Sequence, residues 1–313
     1  MNLGIGRVNL YTLFAFVFLA SLIGKSNASL GDHLPDFKEC VQVCKTENCQ
    51  NGNSVLPLHH RLLLWTCPAE CDYTCQHVIT DRRVSRDPPM ISPVVQFHGK
   101  WPFRRLLGMQ EPFSVLFSFF NFAAHWHGMS RIQESIPAWH SLRPYYMMFG
   151  YIGLASWSFS MIFHMRDFPV TEKLDYWGGW CQRAVRSLPC RRSNLPPGPR
   201  KHPIPANPTS VLDCYLRSAI HIALVGIIQN LMWTGFSIFR YRRLEKSWAA
   251  WPGMIVAWII MAMSLELLDF PPWNGLIDAH SLWHLGTVVP AVWWYSFLIK
   301  DAQDDIAAHR LKA

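Results

Sequence analysis

Charge is what this 313-residue chain has least of. Asp, Glu, Lys and Arg together make up 16% of it, against about 25% in soluble globular domains. So few charged side chains could not coat a globule of this length, which argues against an ordinary soluble fold. Half of the residues are hydrophobic, which excludes disorder, and the length excludes a disulfide miniprotein. The charge that is present leans one way, with 29 basic and 21 acidic residues and a formal net charge of +8. Such a balance ordinarily raises nucleic acid or an anionic membrane as partners. Six of the basic residues, unaccompanied by any acid, lie between Gly178 and Ser210. The remainder is near neutral, so nucleic-acid binding has no support.

The first stretch reads as a secretory signal peptide over 1–28. Arg7 supplies the positive start, Leu10 to Ile23 an apolar run, and Ser26-Asn27-Ala28 a small-residue cleavage site. An uncleaved anchor is the alternative. Cleavage after Ala28 would split the sole glycosylation sequon, Asn27-Ala28-Ser29. Residues 29–110 then form a polar, Cys-rich luminal domain. Its six cysteines, Cys40, Cys44, Cys49, Cys67, Cys71 and Cys75, follow C-x3-C-x4-C and, after seventeen residues, C-x3-C-x3-C. In an oxidising lumen an even set of this kind implies three disulfides, with fifteen possible pairings. A zinc knuckle would need a matching His pair, which the segment lacks.

Residues 111–300 carry five runs long and apolar enough to span a bilayer, at about 113–130, 144–163, 215–239, 248–268 and 279–299. None has Lys or Arg in its middle. Trp101, Trp248, Trp251, Trp273, Trp293 and Trp294 gather near their ends, as in interface belts. The fold class expected is an all-α polytopic membrane protein, a transmembrane helix bundle with a small disulfide-rich luminal head. With the head in the lumen, the loop at 131–143, Arg240-Tyr241-Arg242-Arg243 and the tail 301–313 face the cytosol, in keeping with the positive-inside rule. The loop 176–210 is luminal, and its six prolines between Pro196 and Pro208 mark it as linker.

Ionisable residues inside spans are functional candidates by default. Ser160 and His164 are spaced i, i+4 near the luminal end of the second span, so both face one way. His280 and His284 repeat that spacing at the luminal start of the last span. Asp175 follows His164 by eleven residues, beyond Pro169. Three histidines with one open position form the ligand set of a catalytic zinc site rather than a closed structural one. An isolated histidine on an apolar helix is more often a hydrogen-bonded core residue; here three, with Ser160 and Asp175, converge on one depth.

Ser-x3-His, an Asp eleven residues on and a late His-x3-His resemble the CREST superfamily of membrane hydrolases. The words Gln96-Phe97-His98-Gly99-Lys100-Trp101-Pro102-Phe103, Gln110-Glu111-Pro112, Phe163-His164-x-Arg166-Asp167 and Leu265-Glu266-Leu267-Leu268-Asp269-Phe270-Pro271-Pro272 resemble the post-GPI-attachment-to-proteins factor 3 family, over roughly 30–175 and 215–305. That resemblance implies a GPI-specific phospholipase of A2 type, with zinc on His164, His280 and His284 and with Ser160 and Asp175 as polar partners. It implies hydrolysis of the sn-2 acyl ester of GPI-anchored proteins, with those proteins and membrane lipids as partners. Asp175 would handle the proton, and Ser160 would orient water or donate to the oxyanion. No neighbouring base marks Ser160 as a nucleophile. The implied setting is the endoplasmic reticulum membrane, with the Golgi membrane as alternative.

The family has seven spans, whereas five are visible here. The stretch after Tyr176, where two more should run, is not apolar enough to insert. A mis-assembled gene model, a splice variant and a shortened family member all account for this. Rival functions are a ceramidase-like lipid amidase and a non-enzymatic receptor or scaffold. An intramembrane serine protease lacks its G-x-S-G setting around Ser160. Four other groups of polar residues call for a reading. His125 and His127 read as interface residues across the membrane from the zinc. Glu266 and Asp269 are either partners of metal-bound imidazoles or interfacial acids. Arg166 and Asp167 pair with each other or meet headgroups. His98 and Lys100 contact the anchor or snorkel at the surface.

Overall fold

The computed structural model describes residues 29–50, 56–88, 90–175, 227–242 and 246–310. The signal segment 1–28, the linker 176–210 with Cys181 and Cys190, Cys214 and the start of the run at 215–239 lie outside the described residues. Among the described residues the secondary structure is helical, with isolated bridges and no strand. The chain divides into two compact units. The first comprises residues up to Val115, His164–Arg166 and Met261–Trp283; the second comprises Leu116–Phe163, Asp167–Ile260 and from His284 onward.

The first unit is built on two helices, α1 (Pro35–Asn48) and α2 (Cys67–Val84). Each opens with proline in its first turn, and the Thr66 hydroxyl caps α2 by accepting from the Ala69 amide at 3.4 Å. Cysteines at i and i+4 fall on one face of a helix. Two such faces packed antiparallel meet rung by rung, which gives the nested pairs Cys40–Cys75, Cys44–Cys71 and Cys49–Cys67. Of the fifteen pairings, this is the one an antiparallel helix pair makes. It leaves those sulfurs no free thiolate for a metal. Phe37, Cys75, Ile79, Val95 and Phe97 form the small core beneath.

A tight turn follows that core. Phe97 and Lys100 exchange backbone hydrogen bonds at 2.7 and 2.9 Å, with His98 and Gly99 both at positive φ. His98 holds the turn down: its amide donates to Asp32 at 2.8 Å and its ring meets Asp72 at 2.9 Å. Trp65 lies between two guanidinium groups, with Arg105 3.3 Å and Arg166 3.6 Å from its ring centre. Arg105 is also paired with Glu70 at 2.6 Å. Arg166 therefore stacks on an aromatic ring of the head.

In the second unit, α3 (Pro112–Ser135), α4 (Arg143–Met165), the helix at 227–242 (α5), α6 (Trp251–Leu268) and α7 (Ala279–Arg310) supply the bundle. Its core gathers Met129, Ile132, Ile136, Tyr146, Phe149, Ile255, Tyr295, Phe297 and neighbours. His125, expected at a membrane interface, is instead buried, with its Nδ1 2.8 Å from the Tyr295 hydroxyl. A Cβ on Gly153 would overlap the His125 ring, so glycine there is what admits the imidazole. Arg240 meets Asp301 at 2.6 Å and Lys246 pairs with Asp304.

Among the described residues, three helices are long and apolar enough to cross a membrane: Arg143–Met165, Ser247–Leu268 and Ala279–Ala308. Helix α3 has the length but not the apolarity, because Ser114, Ser118, Asn121 and His125 line its buried side. Polar residues on a buried stripe are how a spanning helix carries a site.

Candidate metal centre

Two constellations carry the predicted site residues, one in each unit. In the first unit, the end of α4 brings His164 and the start of α7 brings His280. A capping box fixes the latter: the Ser281 amide donates to the Asp278 carboxylate at 2.8 Å, and the Asp278 amide to the Ser281 hydroxyl at 3.0 Å. The last carbonyls of α4 would otherwise be orphaned. They are taken by the chain before α3, since the Gln110 and Glu111 amides donate to Met165 and His164 at 3.0 Å each.

The Nε2 atoms of His164 and His280 face each other at 3.4 Å. Their other ring nitrogens are already engaged. His164 Nδ1 donates to Glu111 at 2.7 Å, and His280 Nδ1 donates to Glu266 at 2.8 Å. With a carboxylate on each Nδ1, the two Nε2 atoms are the ring nitrogens turned toward each other. The carboxylate–imidazole pairing is the usual support of a metal-ligating histidine. The donor set therefore fits a metal ion, and both histidines belong to a group able to hold one.

Glu111 is the unusual member. It is 4% exposed and accepts from Lys100 Nζ at 2.6 Å as well as from His164. Burial pushes its carboxyl up, but the His164 ring and the Lys100 ammonium outweigh this and hold it well below the usual carboxylate range. Lys100 therefore reaches a buried carboxylate rather than only the membrane surface. Glu266 resolves as a partner of an imidazole, whereas Asp269 accepts from Gln96 and Trp101 at 2.9 Å each.

In the second unit, the Ser160 hydroxyl lies 3.1 Å from the Ser118 hydroxyl, which lies 3.3 Å from His284 Nδ1. All three side chains are buried. Asn121 and Thr287 each donate to the His284 carbonyl at 2.7 Å, and Trp157 meets the imidazole edge-on at 5.4 Å. On α7, His284 follows His280 by one helical turn. Asp175 ends the short helix 169–175 and is partly buried.

Sequence reasoning missed Ser118 and the roles of Glu111 and Lys100. Glu111 stands directly before Pro112, the first residue of α3, where an acid reads as ordinary helix-start chemistry. Ser118 carries no local signal, since serine is common in spans.

Comparison with known proteins adds the lineage. The Per1-like family matches residues 57–184 and 214–302. The chain belongs to this family. Among Per1-like relatives, it is 32% identical to the protein PER1 homolog of Schizosaccharomyces pombe over 338 aligned positions, covering 96% of each chain. It is 33% identical to the GPI-specific phospholipase A2-like PGAP3 of Xenopus laevis over 316 positions, 92% of this chain and 94% of that one. The Homo sapiens protein of that name is 29% identical over 309 positions, covering 91% and 93%. No solved structure matches. The Per1-like match is interrupted over 185–213, which overlaps most of the linker expected at 176–210.

Proposed function

We propose that this chain is a zinc-dependent hydrolase that remodels the lipid of GPI-anchored proteins by cleaving the sn-2 acyl ester, working from the luminal side of the endoplasmic reticulum membrane. The observation that carries the reading is the pair of facing imidazoles, His164 and His280, each with a carboxylate on its far nitrogen. Relatives named GPI-specific phospholipase A2-like support the substrate and bond class. His284, one turn along the helix from His280, is the third ligand in this reading. A zinc ion so held supplies Lewis acidity that activates water and polarises an ester carbonyl.

The residues of the chain do the rest. Glu111 and Glu266 hold the two imidazoles in one tautomer and orientation. Ser160 has a hydroxyl, Ser118, as its hydrogen-bond neighbour and not a base. That favours an orienting or oxyanion-donating role over a nucleophilic one. The Asp175 carboxylate takes the proton of the attacking water and returns it to the leaving alcohol oxygen.

The test uses purified full-length protein with a GPI-anchored reporter. Metal content is measured by mass spectrometry, together with the fatty acid released from the sn-2 position. Wild type is expected to hold zinc and release the acid, and His280→Ala to do neither. Remodelling that persists in His280→Ala at wild-type protein level would favour a receptor or scaffold. Unchanged GPI lipid with altered ceramide turnover in a deletion strain would favour an amidase.

A further inference from the structure

We propose that Lys100 is a positioning residue of the metal centre, so that the disulfide-stapled head is a working part of that centre. The inference rests on the metal reading above. Its observation is a continuous run of short contacts inside the first unit. Lys100 Nζ lies 2.6 Å from Glu111 Oε1, and Glu111 Oε2 lies 2.7 Å from His164 Nδ1. The carboxylate between them is buried, and the His164 side chain is 2% exposed. With Oε1 taken by the Lys100 ammonium, the buried carboxylate is held so that Oε2 meets His164 Nδ1. That contact sets the orientation of the ring and turns its Nε2 toward His280.

The head sets where that ammonium sits. Lys100 closes the turn begun at Phe97, and His98 anchors the turn to Asp32 and Asp72. Asp72 is the residue after Cys71, which is bonded to Cys44. Gly99, at φ 78°, donates its amide to the Ser29 hydroxyl at 2.5 Å. The lysine is thus held from both sides of the turn by groups of the cysteine-rich segment. That segment otherwise has no evident reason to be joined to a membrane hydrolase.

The experiment measures zinc retention on full-length protein against a competing chelator, with intact disulfides confirmed by thiol labelling. Lys100→Met is expected to lose zinc affinity by about 10–100-fold, the range for ligand-supporting partners, and Lys100→Arg to retain it within about 3-fold of wild type. A purely structural lysine would not be rescued by charge alone. Asp32→Ala, which frees the turn without touching the carboxylate, is expected to weaken retention less than Lys100→Met, and it carries the test if Lys100→Met does not fold. Zinc retention unchanged in Lys100→Met, or in Asp32→Ala where that variant stands in, overturns the proposal while leaving the metal reading intact. Wild-type protein without stoichiometric zinc overturns both.

Discussion

Removing Glu111 should destabilise the protein even without metal. In Glu111→Ala the Lys100 ammonium and the His164 Nδ1–H each lose a charge-assisted partner, at 2.6 and 2.7 Å respectively. Breaking a buried pair from one side costs about 3–5 kcal/mol; the Lys100 side chain is 26% exposed and can partly rehydrate, so the lower half of that range applies. A 313-residue chain with an unfolding entropy of about 2.1 cal/mol/K per residue moves roughly 1.5 °C per kcal/mol. The expected fall in apparent Tm, measured in micelles with chelator present, is about 5–6 °C. Glu111→Gln should fall by about half as much, because the amide oxygen keeps one bond while its NH2 is turned toward a donor. Adding Lys100→Met to Glu111→Gln removes that donor and should recover part of the loss. A Glu111→Ala protein melting within 1 °C of wild type, by the threshold that about 0.7 kcal/mol sets, would refute the bridge. So would a double variant melting no higher than Glu111→Gln.

Three other outcomes are expected. His98 is held above its ordinary pKa, chiefly by its hydrogen bond to Asp72 and against the opposing effect of burial. Its contribution to stability should be complete below about pH 6.5 and be lost as pH rises through the raised value; a wild-type minus His98→Ala difference in Tm that is flat across that window would contradict this. Replacing Cys44 and Cys71 by Ser removes the middle rung of the ladder; the flanking bridges keep the closed ring short, about 10 residues, so chain entropy sets the cost at about 2–3 kcal/mol; intact-mass peptide mapping should find the other two pairs unchanged, and scrambled pairs would refute the ladder. Gly153→Ala drives a methyl group into the His125 ring and should cost about 1–3 kcal/mol by overpacking, read as faster proteolysis; a neutral result would mean His125 is not packed there.

Much of the fold was legible because hydrophobic runs and cysteine spacing are local signals. Helices α4, α6 and α7 coincide with runs read at 144–163, 248–268 and 279–299. The six cysteines announced three disulfides, but not their pairing, because nothing local states that α1 and α2 run antiparallel. Once that is known, the i, i+4 cysteines of α2 against Cys40, Cys44 and the C-cap residue Cys49 of α1 meet in the nested order. Helix α3 shows the limit from the other side. Its run was read as apolar, yet Ser114, Ser118, Asn121 and His125 form a buried stripe, visible only when its neighbours are in place.

The candidate site divides the same way. As candidates, His164, His280 and His284 could be picked out from spacing within single helices, because i, i+4 fixes a common face. Their supports could not, since each comes from a distant segment: Glu111 lies 53 residues before His164 and Ser118 lies 166 before His284. Glu266 is nearer, 14 residues before His280, and was weighed for that role. The supports also differ in kind. His164 and His280 each lean on a carboxylate, whereas His284 has the Ser118 hydroxyl beside it; an anionic acceptor raises the basicity of the far nitrogen. The head that looked like a separate domain in sequence shares one compact unit with His164 and His280, and its Lys100 meets the Glu111 carboxylate that His164 leans on.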